Sequence, residues 1–149
     1  MPPNSLLMTF CPDREIAVGW VKPTDNWKRM KRKNTGDLGE KLAQEFLKKK
    51  GYRIIETNYR CREGEMDIVA RLKDHLVFIE VRTKRNLVFG TPEESITAGK
   101  KINLERVAAH YLQDHTELSS SWQIDLVAVE LDANSRLKRI DLIENAIEG

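Results

Sequence analysis

From Thr35 onward the apolar positions change period in a readable order. Leu38, Leu42, Ala43, Phe46 and Leu47 recur at helical spacing, with Thr35 or Asp37 available as a cap. Lys48–Lys50 suit the negative end of that helix, and Gly51 ends it. Tyr52–Asn58 reads as a strand with Ile54 and Ile55 buried, and Cys61–Gly64 as a turn. Two alternating segments follow, spanning Glu65–Lys84, with Leu72-Lys73-Asp74-His75 between their cores; this spacing predicts a hairpin. Asn86–Thr91 is a loop containing Phe89-Gly90. A long helix is expected from about Pro92 to Asp114, opened by Pro92, Glu93 and Glu94 and carrying an apolar stripe of Leu104, Val107, Ala108, Tyr111 and Leu112. After a polar loop at Glu117–Ser121, strands are expected at Trp122–Leu131 and Leu137–Glu144, joined by a turn at Asp132–Ser135. The order α-β-β-β-α-β-β predicts an α/β fold, one mixed sheet of about five strands flanked by helices.

The hairpin register follows from its turn. With Lys73-Asp74 as a two-residue turn, Leu72 pairs with His75, Ala70 with Val77, Ile68 with Ile79, Asp67 with Glu80 and Glu65 with Arg82. A four-residue loop gives the same pairs, whereas an odd-length turn separates the acids. Asp67 and Glu80 then lie side by side on a face shared with Phe78, Val69 and Leu76. Two carboxylates directly opposite repel. One reading places a divalent cation between them, since hard cations take carboxylate oxygens; the other makes the face solvated and the acids solubilising.

Glu40 projects beside Ala43 and Leu47, at the edge of the helical stripe. Its carboxylate can reach the sheet on which the helix packs, or can pair locally with Lys41 or Gln44. Asp125, within Gln123-Ile124-Asp125-Leu126-Val127, either holds a basic residue in place or faces out.

Charge and composition narrow the classes. The net charge of +2 hides a basic first part, in which residues 1–35 hold seven Lys/Arg against three Asp/Glu. Residues 1–34 also carry four of the five prolines and two of the three tryptophans without periodicity. They are expected to be a poorly ordered extension, with 35–149 the folded domain. A basic arm that grips nucleic acid is the other reading of that segment. Arg82, Lys84 and Arg85 together with Lys100, Lys101 and Arg106 can contact phosphate or can be solvated surface. No apolar run is long enough to span a membrane, and no signal sequence is evident. Cys11 and Cys61 form no CxxC or zinc pattern, so a reduced, cytoplasmic setting is expected. His75, His110 and His115 show no metal-binding spacing. Ser119-Ser120-Ser121 lacks a nucleophile elbow and a partnered histidine, and no P-loop is present.

These residues carry a resemblance. Glu40, then Gly64-Glu65-Met66-Asp67, then Glu80-Val81-Arg82 resemble the PD-(D/E)xK nuclease superfamily. With Gly36-Asp37-Leu38-Gly39-Glu40, Phe89-Gly90, Lys100-Lys101 and Ile124-Asp125-Leu126-Val127, the chain from Thr35 onward resembles the YraN-type family, which is similar to archaeal Holliday-junction resolvases. Residues 1–34 have no counterpart in it. The resemblance implies a restriction-endonuclease-like fold in which Asp67 and Glu80, joined by the Val81 carbonyl, hold Mg²⁺ or Mn²⁺. Glu40 would hold a second metal or a metal-bound water. It implies catalytic roles for Glu40, Asp67, Glu80, Arg82 and Lys84, and nucleic-acid contacts from Arg82, Lys84, Arg85, Lys100 and Lys101. Arg82 stands where the superfamily has lysine. Arginine stays protonated and cannot act as a base, though it can stabilise phosphate charge. Lys84, two residues on, can substitute. The expected function is a metal-dependent endonuclease on structured or branched DNA, working as a homodimer. The alternatives are a non-catalytic nucleic-acid-binding module and a protein-interaction module.

Overall fold

The computed structural model describes residues 23–117 and 121–147. The chain divides into two units at Asn34 and Thr35. The elements are α1 (Pro23–Lys49), β1 (Arg53–Cys61), β2 (Gly64–Leu72), β3 (His75–Lys84), a 3-10 turn (Glu93–Ser95), α2 (Ala98–Asp114), β4 (Trp122–Leu131) and β5 (Leu137–Ile147). They form one five-stranded sheet in the order β1-β2-β3-β4-β5, parallel only between β3 and β4. The expected α/β order is present. Most of the 1–34 extension lies outside the described residues. Its described end is helical, so α1 starts at Pro23 and not near Thr35. Lys28-Arg29-Met30-Lys31-Arg32-Lys33 contains only good helix formers, which lets the helix run through.

The sheet buries both faces. Ala43 and Leu47 of α1 pack with Ile68, Ala70, Val77, Ile79 and Val127 on one face. Leu104, Val107, Ala108 and Tyr111 of α2 pack with Val69, Leu76, Phe78 and Ile124 on the other. Both helical stripes read from the sequence are therefore core. β4 is buried along nearly its whole length, as a central strand with a parallel neighbour should be. β1 is an edge strand, and there the expectation of a buried Ile55 fails: it is exposed. No helix among the described residues is long and apolar enough to cross a membrane. Cys61 is a free thiol, and Cys11 lies outside the described residues.

Three departures from the sequence pattern have local causes. The expected helix from Pro92 is broken. A 3-10 turn covers Glu93–Ser95, Ile96 is extended, and α2 starts only after Thr97, whose hydroxyl accepts the Lys100 N–H at 3.1 Å. A threonine that caps one helix cannot also continue another. β5 runs past Glu144 to Ile147 through a register shift. Asp125, which neither holds a base nor faces out, stabilises that shift. Its Oδ1 accepts from the Asn145 N–H at 2.9 Å and from Gln123 Nε2 at 2.7 Å. Burial raises the Asp125 pKa above the usual range. Finally, the fold supplies the histidine partner that spacing did not give the serine tract. Ser121 hydrogen-bonds His75 Nδ1, and His75 Nε2 meets Gln123 Oε1 at 2.7 Å, tying the start of β3 to β4.

Candidate functional site

The β2–β3 hairpin has the expected register at its closed end. Leu72 pairs with His75, Ala70 with Val77 and Ile68 with Ile79. The ladder between these strands then stops, while β2 stays paired with β1 down to Gly64 and β3 stays paired with β4 down to Lys84. The sheet therefore forks, and the fork opens at Asp67 and Glu80.

Asp67 helps make the fork. Its Oδ2 accepts the Val81 N–H at 2.8 Å, taking the place of a main-chain partner. Across from Asp67 on β1, Asn58 is left-handed at φ 54° and drops out of the ladder between Thr57↔Ile68 and Tyr59↔Met66. Alternation breaks there. Met66 joins the α2-side core and Ile68, two residues on, the α1-side core. Asp67 sits at the bend, where its side chain points along the sheet toward β3. The expected pair Glu65–Arg82 does not form. Glu65 meets Arg60 at 3.3 Å, because the strands have already parted.

Glu80 is almost inaccessible, with 3% of its surface exposed. Burial and the adjoining Asp67 carboxyl, with which it shares a hydrogen bond, push its pKa well above the carboxylate range. Two cations oppose this. Lys100 Nζ lies 3.4 Å from Glu80 Oε2 and Arg82 Nη1 3.7 Å from the same oxygen.

Glu40 comes from α1. Burial and then Asp67, Asp37 and Glu65 raise its pKa to about 7. What brings it near is the preceding residue. A Cβ on Gly39 would stand 1.9 Å from Thr83 Oγ1 and 2.9 Å from Thr83 Cβ, so α1 rests directly on β3 and only glycine fits. Asp67 is thus the carboxylate that acts on both Glu40 of the helix and Glu80 of the next strand.

The cations sort differently from the sequence expectation. Arg82 is held by the turn before α2: its Nε donates to Ser95 Oγ at 3.0 Å and its Nη2 to the Ser95 carbonyl at 3.1 Å. Lys100, expected only as a phosphate contact, stands at Glu80 because the broken helix puts it in the first turn of α2. Lys84 ends β3 and makes no ion pair with the acids. Arg85 turns to Thr35 Oγ1 at 2.7 Å and to the Ala133 carbonyl at 3.4 Å. Lys101 is exposed. Ser95 and Gly39 had no chemical signature in the sequence. Gly39 lay within a motif that could have flagged it, but its meaning depends on Thr83.

A cation must be tested against this donor set. Among the described residues, no three His, Cys, Asp or Glu side chains are gathered closely enough to hold an ion as they stand. The chemistry of the donors nevertheless fits a hard cation. Half-buried Asp67 adjoins buried Glu80, and both acids beside Asp67 have raised pKa values.

Comparison with known proteins places the chain. A family model described as uncharacterised protein family UPF0102 matches residues 39–144. A UPF0102 protein of Dehalococcoides mccartyi is 50% identical over 116 residues, covering 78% of this chain and 94% of that protein. One from Moorella thermoacetica is 44% identical over 117 residues, covering 78% and 98%. One from Caldicellulosiruptor saccharolyticus is 41% identical over 117 residues, covering 78% and 99%. The matched region contains Glu40, Asp67, Glu80, Arg82 and Lys100, and the chain belongs to uncharacterised protein family UPF0102, the YraN-type family its motifs resemble.

Proposed function

We propose that this protein is a metal-dependent endonuclease acting on structured or branched DNA. The observation that carries the reading is Asp67 at a fork in the sheet, acting on Glu40 and on Glu80, with Glu80 buried against Asp67 and facing Lys100 and Arg82. Acids so placed destabilise one another, and a site that binds a cation and a phosphodiester gives that arrangement a use. Asp67, Glu80 and the Val81 carbonyl would hold Mg²⁺ or Mn²⁺, with Glu40 beside it. When bound, the ion supplies Lewis-acid polarisation of the phosphodiester and a lowered pKa for the attacking water.

The chain's own residues do the rest. Glu40, raised by burial and by Asp67 when no cation is bound, would hold a second metal or a metal-bound water. Lys100 balances Glu80 and offers its remaining donors to a phosphate oxygen. Arg82 keeps its charge at the site while Ser95 fixes its plane, so its part is electrostatic. Lysine chemistry at this site therefore falls to Lys100, and Lys84 is too far along β3 to share the ion pair with Glu80. A homodimer is the proposed cutting unit on a two-stranded junction, since a two-fold pair matches two equivalent strands.

The test is calorimetric titration with Mn²⁺ of the wild type and of the Asp67→Ala, Glu80→Ala double variant. Cleavage of labelled single strands, duplexes, flaps and four-way junctions in Mg²⁺ is run in parallel. Binding and cleavage by the wild type, both lost in the variant, support the reading. A wild type that binds no Mn²⁺ even with DNA present sinks it, and salt-sensitive DNA binding without cleavage leaves a non-catalytic module.

A further inference from the structure

The loop after β3 exposes three consecutive apolar side chains. Leu87 is 45% exposed, Val88 78% and Phe89 89%. Scattered surface apolar residues need no explanation, but a contiguous tip ending in an almost fully exposed phenylalanine does. The tip is also held in shape. The Val88 N–H donates to Asn86 Oδ1 at 3.2 Å and the Gly90 N–H to the Leu87 carbonyl at 3.1 Å. Thr91 and Glu94 cap each other, the Thr91 N–H reaching Glu94 Oε1 at 2.8 Å and the Glu94 N–H reaching Thr91 Oγ1 at 3.3 Å. An aromatic ring presented on a braced turn loses little freedom on contact.

At the base of this tip lies a cavity of about 330 Å³. Lys84, Arg85 and Lys138 line it, with Leu87 and Leu131 as apolar wall. Its one acid, Glu130, is already paired with Arg139. Arg85 hydrogen-bonds only neutral oxygens, and Lys84 and Lys138 make no ion pair among the described residues. The cavity is therefore left positive. Lys84 also lies on the strand that carries Glu80.

We propose that the Leu87–Phe89 tip and this cavity together bind unpaired nucleotides, a base stacking on Phe89 and the adjoining backbone phosphates lying against Lys84 and Lys138. The chemistry is that of single-strand binding elsewhere: aromatic faces accept any base, and cations track the backbone. Paired bases in a duplex offer Phe89 no free face, so the contact selects nucleic acid with an unpaired segment. The inference rests on the nuclease reading for its setting and narrows that reading's substrate to DNA with frayed, flapped or junction-splayed nucleotides.

The experiment is fluorescence anisotropy in EDTA, where no hydrolysis can occur. It uses a short labelled oligonucleotide, single-stranded and as its duplex. Phe89→Ala weakens single-strand binding about tenfold, the scale of one lost base stack, and leaves duplex binding within about twofold. Lys84→Ala with Lys138→Ala lowers the slope of log Kd against log salt by about one, as for one or two released phosphate contacts on a single strand. Phe89 is exposed, so its replacement does not threaten folding. Equal single-strand affinity for wild type and Phe89→Ala overturns the proposal. So does a wild type that ignores single strands, or a Phe89→Ala change from dimer to monomer in sedimentation, which would make the tip a self-association surface. Mn²⁺ calorimetry on the same proteins separates the two readings. Metal binding with Phe89-indifferent single-strand affinity defeats this inference alone. Phe89-dependent single-strand binding without metal binding defeats the nuclease and leaves this inference standing.

Discussion

Gly36 and Gly39 lie three residues apart on α1, and alanine at each should act with opposite sign. At Gly36 an added Cβ meets nothing within 4 Å. Alanine there removes only the conformational penalty of a helical glycine and should stabilise by about 0.5–1 kcal/mol. At Gly39 the Cβ would stand 1.9 Å from Thr83 Oγ1, 2.9 Å from Thr83 Cβ and 3.0 Å from Thr83 Cγ2. Rotating Thr83 moves its hydroxyl and methyl but not its Cβ. The main chains must therefore part by roughly 0.5–1 Å to restore ordinary contact, an overpacking cost of about 1–3 kcal/mol. Against the helical gain, the net is a loss of about 1–2 kcal/mol, or roughly 3–8 °C in Tm for a chain of this size. Urea and thermal melts of the two single variants measure it directly. Thr83→Gly in the Gly39→Ala background removes the obstructing carbon and should recover most of the loss. The helix shift also carries Glu40 off the fork, so Gly39→Ala should lower Mn²⁺ affinity while Gly36→Ala should not. A Gly39→Ala protein as stable as Gly36→Ala would refute the close approach of α1 to β3, and with it the placement of Glu40.

The acids predict a pH response of definite sign. Glu40 and Glu80 have folded pKa values above the ordinary 4.5, so the folded state holds extra protons. Without divalent cations, stability should therefore fall as pH rises from about 4.5 through 7 and above. Asp67→Asn should flatten that fall in urea midpoints, because Asp67 raises both. Lys100→Met should leave Mn²⁺ binding intact or tighter, since it removes a neighbouring positive charge, while abolishing cleavage; calorimetry and the cleavage panel read the two effects apart. Arg139→Ala strips partners from Glu93, Glu130 and Asp141, leaves Glu130 at 9% exposure without a cation, and should cost about 2–3 kcal/mol in chemical denaturation. Arg139→Lys should recover only part of this, because it cannot form the same fork of hydrogen bonds.

How far the sequence reached depends on the range of the interaction. The α1 and α2 stripes, the Lys73-Asp74 turn and the pairs from Leu72↔His75 to Ile68↔Ile79 follow from periodicity and turn length, which are local. The nearness of Asp67 and Glu80 followed from that register, and the motif resemblance added Glu40. Periodicity could not show that the ladder ends there. The fork needs Asp67 to capture the Val81 N–H and Asn58 to turn left-handed across from it, and neither is visible in an alternation pattern. The break before α2 was hidden because Glu93 and Glu94 satisfy a helix start as well as a 3-10 turn does. That break decides the cations. It hands Arg82 to Ser95 and sets Lys100 beside Glu80, thirteen and twenty residues away along the chain. The sequence by itself determined most of the core and the nearness of Asp67 to Glu80, because those depend on periodicity and turn length within one helix or hairpin. Only the tertiary structure decided which cation meets Glu80, why Gly39 must be glycine, and where the cationic cavity opens, because each is a contact between elements whose separation no local pattern encodes.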